Sequence, residues 1–92
     1  MSQAVQETYN FTRISSATDT VCKSGYGNLG GVFVASSTSG TIKVWDNTAA
    51  SGTVLINTFT ANAGTYYPMP FQFRTGLTIT TTGTIDCTVA WI

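Results

Sequence analysis

Apolar and polar residues alternate in short runs along most of this chain. In the stretch 84–92, Ile85, Cys87 and Val89 fall on one side of an extended backbone, and Asp86 and Thr88 fall on the other. This two-residue period is that of a half-buried β-strand. No longer stretch shows the i, i+3, i+4, i+7 apolar spacing of an amphipathic helix. The pattern therefore predicts an all-β protein with essentially no helix.

Segments rich in Gly, Asn and Ser separate these runs at intervals of about 8–12 residues. We predict about eight strands, near residues 8–14, 18–23, 29–36, 41–46, 53–60, 65–73, 75–80 and 84–92. Short strands of even spacing are typical of a small β-sandwich or jelly roll. The run Val-Phe-Val-Ala at 32–35 is apolar on both faces, which predicts a central strand.

The alternation also predicts which side chains form the core. The inward-facing set is Val21, Cys22, Leu29, Val32, Val34, Ile42, Val44, Leu55, Phe59, Phe71, Phe73, Leu77, Ile79, Ile85, Cys87 and Val89. A chain of 92 residues fits one domain with one modest core. We assign 8–92 to that domain. Residues 1–7, with Val5 as their substantial apolar residue, are predicted to be an arm that is frayed or docked on a neighbouring subunit.

Charge is sparse, at 9% of residues, and sums to zero. The basic residues Arg13, Lys23, Lys43 and Arg74 are scattered singly, so no basic stripe forms and we expect no nucleic-acid partner. No apolar run is long enough to span a bilayer, and the N-terminus lacks the pattern of a signal peptide. We therefore expect a protein made in the cytoplasm, with no membrane partner.

The sequence is poorly provided with catalytic groups. It has no histidine, its acidic residues lie in different segments, and its two cysteines are too far apart to indicate a zinc site. The glycines of 25–30 match a dinucleotide-binding pattern, but a strand follows them rather than a helix, so we interpret them as a turn. The stretch 40–46 resembles one strand of a WD-repeat blade, in a single copy only. We expect no enzymatic activity, no cofactor and no metal.

Cys22 and Cys87 each occupy a position where a small apolar residue would serve equally well. Reduced cysteine packs as a small hydrophobe, and a cytoplasmic origin disfavours disulfides. We predict two free thiols that face the core.

The aromatic residues offer the best candidates for a binding surface. Pro68 and Pro70 withhold two backbone donors, so the segment around Tyr66, Tyr67 and Met69 should lie at a sheet edge or kink, with adjacent tyrosines on opposite faces. Aromatic residues and Met are enriched at the centres of protein interfaces. Packing in the monomer's core remains an alternative. The candidate interface residues are Tyr66, Tyr67, Met69, Trp45 and Tyr26.

Several segments between residues 14 and 91 together resemble small virion proteins of tailed bacteriophages. They are 14–31, which includes KSGYGNLGG, 41–53, which includes VWDNTAASGT, FRTGLTI at 73–79, and TIDCTVAW at 84–91. The resemblance implies a β-sandwich or jelly-roll component of the virion that is multimeric on the particle. It assigns no role to individual residues.

The expected function is therefore that of a capsid decoration or cement protein, which binds the outside of the phage head as a homo-oligomer, with a trimer favoured. Its partners would be the major capsid protein or other virion proteins. One alternative is a tail, neck or fibre adaptor. Another, from a different class, is a carbohydrate- or receptor-binding module in which Trp45, Tyr26, Tyr66 or Tyr67 stacks on sugar rings.

Overall fold

The computed structural model describes residues 8–92, so the predicted arm at 1–7 lies outside the described residues. These residues form an all-β fold without helix, which confirms the all-β part of the predicted fold class. The strands are β1 (Asn10–Ile14), β2 (Asp19–Ser24), β3 (Gly27–Asp46), β4 (Thr53–Thr60), β5 (Thr65–Phe73) and β6 (Gly76–Trp91). They make one antiparallel sheet in the order β1-β6-β3-β4, with β2 also paired to β6 and β5 also paired to β3.

The described strands number six rather than the predicted eight, because two pairs of predicted strands are continuous. The segments 29–36 and 41–46 join in β3, and 75–80 and 84–92 join in β6. The polar residues at 37–40 and 82–83, predicted as turns, lie instead at a corner where the two strands bend while they stay paired. Thr38 faces Thr84 and Thr41 faces Thr82, so β3 has one extra residue at the corner.

The long strands give the sheet two halves. The first half consists of β1, residues 87–91 of β6, residues 27–34 of β3, and β5. The second half consists of β2, residues 76–80 of β6, residues 41–46 of β3, and β4. A straight strand of the length of β3 would reach roughly 60 Å. The longest dimension of the molecule is 47 Å, so the bend at the corner shortens it.

One buried cluster draws residues from both halves: Ile14, Leu29, Val32, Val34, Ile42, Val44, Ala61, Met69, Phe73, Leu77, Ile79, Ile85, Cys87 and Val89. Most of the predicted core is therefore confirmed, and Cys22, Leu55 and Phe59 pack against it. Val21 and Phe71 were predicted wrongly, since each is about half exposed. A bulge after Val21 turns Cys22 towards the core instead, and Phe71 lies on an edge strand where the described residues leave it about half exposed.

The prolines of β5 have the effect expected from their chemistry. Within residues 8–92, β5 pairs only with β3, so Pro68 and Pro70 lie on an edge strand, as predicted. The two adjacent tyrosines also point to opposite faces, with Tyr66 outward and Tyr67 packed against the core. This edge position matters for function because it leaves Tyr66 at the rim of an outer sheet surface.

Candidate functional site

The candidate interface residues chosen from the sequence do not form one cluster. Tyr26 protrudes from the turn before β3, whereas Met69 is only 4% exposed and belongs to the core. Met69 shares the inward side of β5 with Tyr67, so it is removed from the candidate interface. Tyr67 packs edge-to-face on Phe59, with ring centroids 5.0 Å apart. Its hydroxyl accepts a hydrogen bond from the backbone N–H of Asn62 at 2.9 Å.

Trp45 lies on the outer side of the second half, but other groups already occupy its ring. The ammonium of Lys43 lies 4.3 Å from the ring centroid. The indole N–H donates to Oγ1 of Thr80 at 2.9 Å, and the Thr80 hydroxyl donates to Oδ1 of Asp19 at 2.8 Å. A sugar could stack on this face of the ring only by displacing Lys43. Trp45 is therefore a packed part of the second half.

A different set of aromatic residues shares the outer side of the first half. The register aligns outward residues in rows across β1, β6, β3 and β5. One row is Arg13, Thr88, Phe33 and Tyr66, and the next is Phe11, Ala90, Gly31 and Pro68. Four rings on or beside these rows are exposed: Tyr9 by 42%, Phe11 by 72%, Phe33 by 45% and Tyr66 by 53%. We call these four residues the aromatic face.

Two glycines of β3 let two rings of the aromatic face lie close to the backbone. A Cβ atom at Gly30 would lie 2.8 Å from Cε2 of Tyr9, and one at Gly31 would lie 2.5 Å from Oη of Tyr66. Both rings therefore lie directly against the backbone, where any other residue would push them away. The Tyr66 hydroxyl also donates to the carbonyl oxygen of Gly30 at 3.1 Å. Residues 8–92 enclose no cavity, so this surface is a platform rather than a pocket.

Among residues 8–92, one ion pair lies beside the rings. Nε of Arg13 donates to Oδ1 of Asp86 at 3.0 Å, and Nη2 donates to Oδ2 at 2.7 Å. These hydrogen bonds hold the pKa of Asp86 below its ordinary value and raise the pKa of Arg13. The remaining charged side chains of the described residues lie on the second half or its turns. The aromatic face is therefore electrically neutral.

Sequence reasoning missed three of the four residues of the aromatic face: Tyr9, Phe11 and Phe33. Phe33 belongs to a run that is apolar on both faces and was interpreted as a central strand. β3 is central in the sheet, yet its outward Phe33 is almost half exposed. Alternation in the sequence could have identified Phe11 and Phe33 as outward-facing, because each is flanked on its strand by an inward-facing residue.

The cysteines offer little reactivity. In the structure both are free thiols, with Cys87 in the core and Cys22 packed against it. Burial raises the pKa of both thiols, and for Cys87, with Asp86 and Cys22 adding to the effect, the pKa rises to about 11. The nucleophilic thiolate is therefore scarce near neutral pH. Among the described residues, no group of three or more His, Cys, Asp or Glu side chains could hold a metal ion.

Asp46, the last residue of β3, has a structural task. Its Oδ1 accepts backbone N–H groups from Arg74 at 2.9 Å, Thr75 at 2.8 Å and Gly76 at 3.4 Å. Partial burial acts to raise the pKa of Asp46, but these amides and the nearby Arg74 charge outweigh it, so the pKa lies below its ordinary value. The carboxylate thus ties the end of β3 to the turn between β5 and β6.

The Asp46→Asn variant is expected to lose part of the acid sensitivity of the fold. A carboxyl whose pKa is lowered by folding stabilises the protein above its ordinary pKa of about 3.9, and this stabilisation is lost as the pH falls through the folded value. Urea denaturation at a series of pH values would measure the effect. Asp19→Asn is the control, because Asp19 accepts one hydroxyl hydrogen bond rather than three amide bonds. Identical pH dependence of Asp46→Asn and the wild type would contradict this role.

In comparisons with known proteins, no family model, curated protein or solved structure matches this chain. Residues 8–92 also contain no helix that is long and apolar enough to cross a membrane. The aromatic face is therefore the feature of the described residues that indicates a function.

Proposed function

We propose that this chain is a non-enzymatic structural protein of a tailed-bacteriophage virion, a decoration or cement protein that contacts neighbouring subunits on the outside of the head through its aromatic face. The observation that carries the proposal is the presence of four exposed rings on the outer side of one half of the sheet. A protein of this kind needs a docking surface rather than a chemical site. The resemblance to phage virion proteins is the basis for proposing that this surface acts on a virion. A tail, neck or fibre adaptor would use the same surface.

The size of the aromatic face supports a role in contact with another protein. Aromatic side chains bury about 150–250 Å² each, so the exposed fractions of the four rings amount to roughly 400 Å². The largest apolar patch on a typical monomer is about 300–600 Å², and such patches are often functional. Keeping four rings in water is unfavourable, which favours a partner that covers them.

The polar groups near the rings favour a protein over a sugar or a nucleic acid. A sugar site needs hydrogen-bonding groups around the stacked ring, but here the Tyr66 hydroxyl already donates to Gly30, and two N–H groups of Arg13 already donate to Asp86. A single-stranded nucleic acid also stacks on aromatic rings, but it needs uncompensated positive charge for the backbone. Arg13 does not supply it. Aromatic residues and Arg are enriched at protein interfaces.

The predicted β-sandwich suits this role, and we infer that the two halves of the sheet form its two layers. Val32 and Val34 of the first half share one buried cluster with Ile42 and Val44 of the second. The shortest dimension of the molecule is 17 Å, which accommodates two sheets packed about 10 Å apart. In this arrangement the aromatic face is the outer surface of one layer.

The test is binding to heads of the phage that encodes the chain, prepared without this protein. The variant Phe11→Ser with Phe33→Ser removes two rings that are exposed in the monomer, so the fold should be retained. We expect its affinity for the heads, measured by co-sedimentation, to fall by at least about 2 kcal/mol, which is roughly thirtyfold. Val21→Ser with Val54→Ser is the matched control, because both valines are exposed on the second half.

Three outcomes would count against the proposal. One is a wild-type protein that does not bind the heads, and another is equal loss of binding in the aromatic variant and the valine control. The third is a glycan-array signal of the wild type that the aromatic variant abolishes. That result would establish the carbohydrate-binding alternative instead.

A further inference from the structure

We infer that the partner of the aromatic face is the aromatic face of a second copy of this chain. The inference rests on the proposed function, in which this face contacts neighbouring subunits. It adds the identity of the neighbour, and it assigns the two-fold contact to the outer surface of the first half. Three properties of the surface lead to a second copy rather than to an unrelated protein.

The first property is area. A stable interface of standard size buries about 800 Å² on each partner, with an apolar centre and a polar rim. The four rings supply roughly 400 Å² of aromatic surface, enough for the centre of such an interface. Arg13 and Asp86 lie beside the rings and supply polar groups for the rim.

The second property is charge. The face carries one positive and one negative group. Arg13 lies in the same row as Phe33, and Asp86 lies beside Arg13 as its ion-pair partner. A partner of strong net charge gains nothing from such a surface, whereas a second copy presents the same two charges and can place each near its opposite. The chain as a whole has zero net charge, so two copies do not repel each other at longer range.

The third property is shape. Gly30 and Gly31 let the rings of Tyr9 and Tyr66 lie against the backbone, and residues 8–92 contain no pocket to receive a projecting group. A surface of exposed rings without a pocket can meet an identical surface. Such a same-to-same contact closes as a two-fold pair. The contact therefore makes a dimer, and a trimer would require a different surface.

The experiment uses charge reversal at the ion pair, with sedimentation velocity and native mass spectrometry of the full chain. Arg13→Asp leaves two acidic groups on each face, and Asp86→Arg leaves two basic groups. We expect the wild type to form dimers at micromolar concentration, and each single variant to dissociate at least tenfold more readily. An equimolar mixture of the two variants should recover a dimer that contains one copy of each, because acidic and basic faces attract.

Lys23→Asp is the control, since it changes the charge by the same amount on β2, away from the aromatic face. It should leave the dimer intact. Thermal melting of each variant confirms that the monomers remain folded. Pairing of the two charge variants is a result that mere destabilisation of the monomer cannot produce.

A wild type that stays monomeric, or that forms trimers unaffected by either single variant, would overturn the inference. So would a mixture that fails to recover the dimer. If such a wild type still binds phage heads through its aromatic residues, the proposed function stands and the second copy is excluded. A dimer that pairs as expected but binds no heads would support the second copy and reject the virion role.

Discussion

Replacing Phe73 with alanine is expected to lower the free energy of unfolding by about 3–5 kcal/mol. Phe73 is the largest fully buried side chain of the described residues, and it lies opposite Gly27 where β5 meets the start of β3. The paired strands around it cannot close the space that the ring vacates, so a cavity remains. Small domains have only about 5–15 kcal/mol of stability, and urea denaturation should show a large shift of the midpoint.

Phe71→Ala is the matched control for this prediction. Phe71 lies two residues earlier on the same strand and was predicted from the sequence to share the core, but it is 47% exposed. Its truncation removes less buried surface and leaves no enclosed cavity, so we expect less than half the loss seen for Phe73→Ala. Equal losses would mean that something covers Phe71, and that the edge of β5 is packed differently.

The second large effect is expected at the corner of the long strands. Gly83→Ala should lower the free energy of unfolding by about 2–5 kcal/mol, for two reasons that add. Gly83 has a φ of 75°, which disfavours any residue with a Cβ atom. A methyl group there would also collide with the carbonyl oxygen of Ser39 on the paired strand. Thermal and urea denaturation would both report the loss.

Gly64→Ala separates these two causes. Gly64 has a φ of 70°, but no atom lies within 4 Å of the position that a Cβ would take. Its substitution should therefore show only the conformational part, about 1–2 kcal/mol. If Gly83→Ala costs no more than Gly64→Ala, then the corner relaxes easily, and the tight approach of β3 and β6 does not contribute to stability.

Much of the architecture could be predicted from local features of the sequence. The two-residue alternation placed the strand segments, and it identified most of the core, including Val32, Ile79 and Val89. Pro68 and Pro70 placed β5 at an edge, because a proline cannot donate to a second neighbouring strand. These predictions succeeded since each depends on the chemistry of a few adjacent residues, which operates in the same way in any fold.

The continuity of β3 and β6 was decided by the tertiary structure. Gly and Ser at 37–40 and Gly83 suit a hairpin turn and a bulged corner equally well, since both need residues that tolerate unusual backbone angles. The outcome depends on which strand lies alongside. Here each long strand keeps the other as its partner through the bend, so the chain bends without reversing its direction.

The candidate site also depended on tertiary structure. Periodicity determines that Phe11, Phe33 and Tyr66 lie opposite the core-facing residues of their strands, but it does not determine whether another layer covers them. The sheet register aligns these outward residues across four strands, and Gly30 and Gly31 let two tyrosines lie against the backbone. The sequence alone determined an all-β chain and most of its core. Only long-range strand pairing brought the exposed rings together, because residues far apart in sequence become neighbours only when the sheet forms.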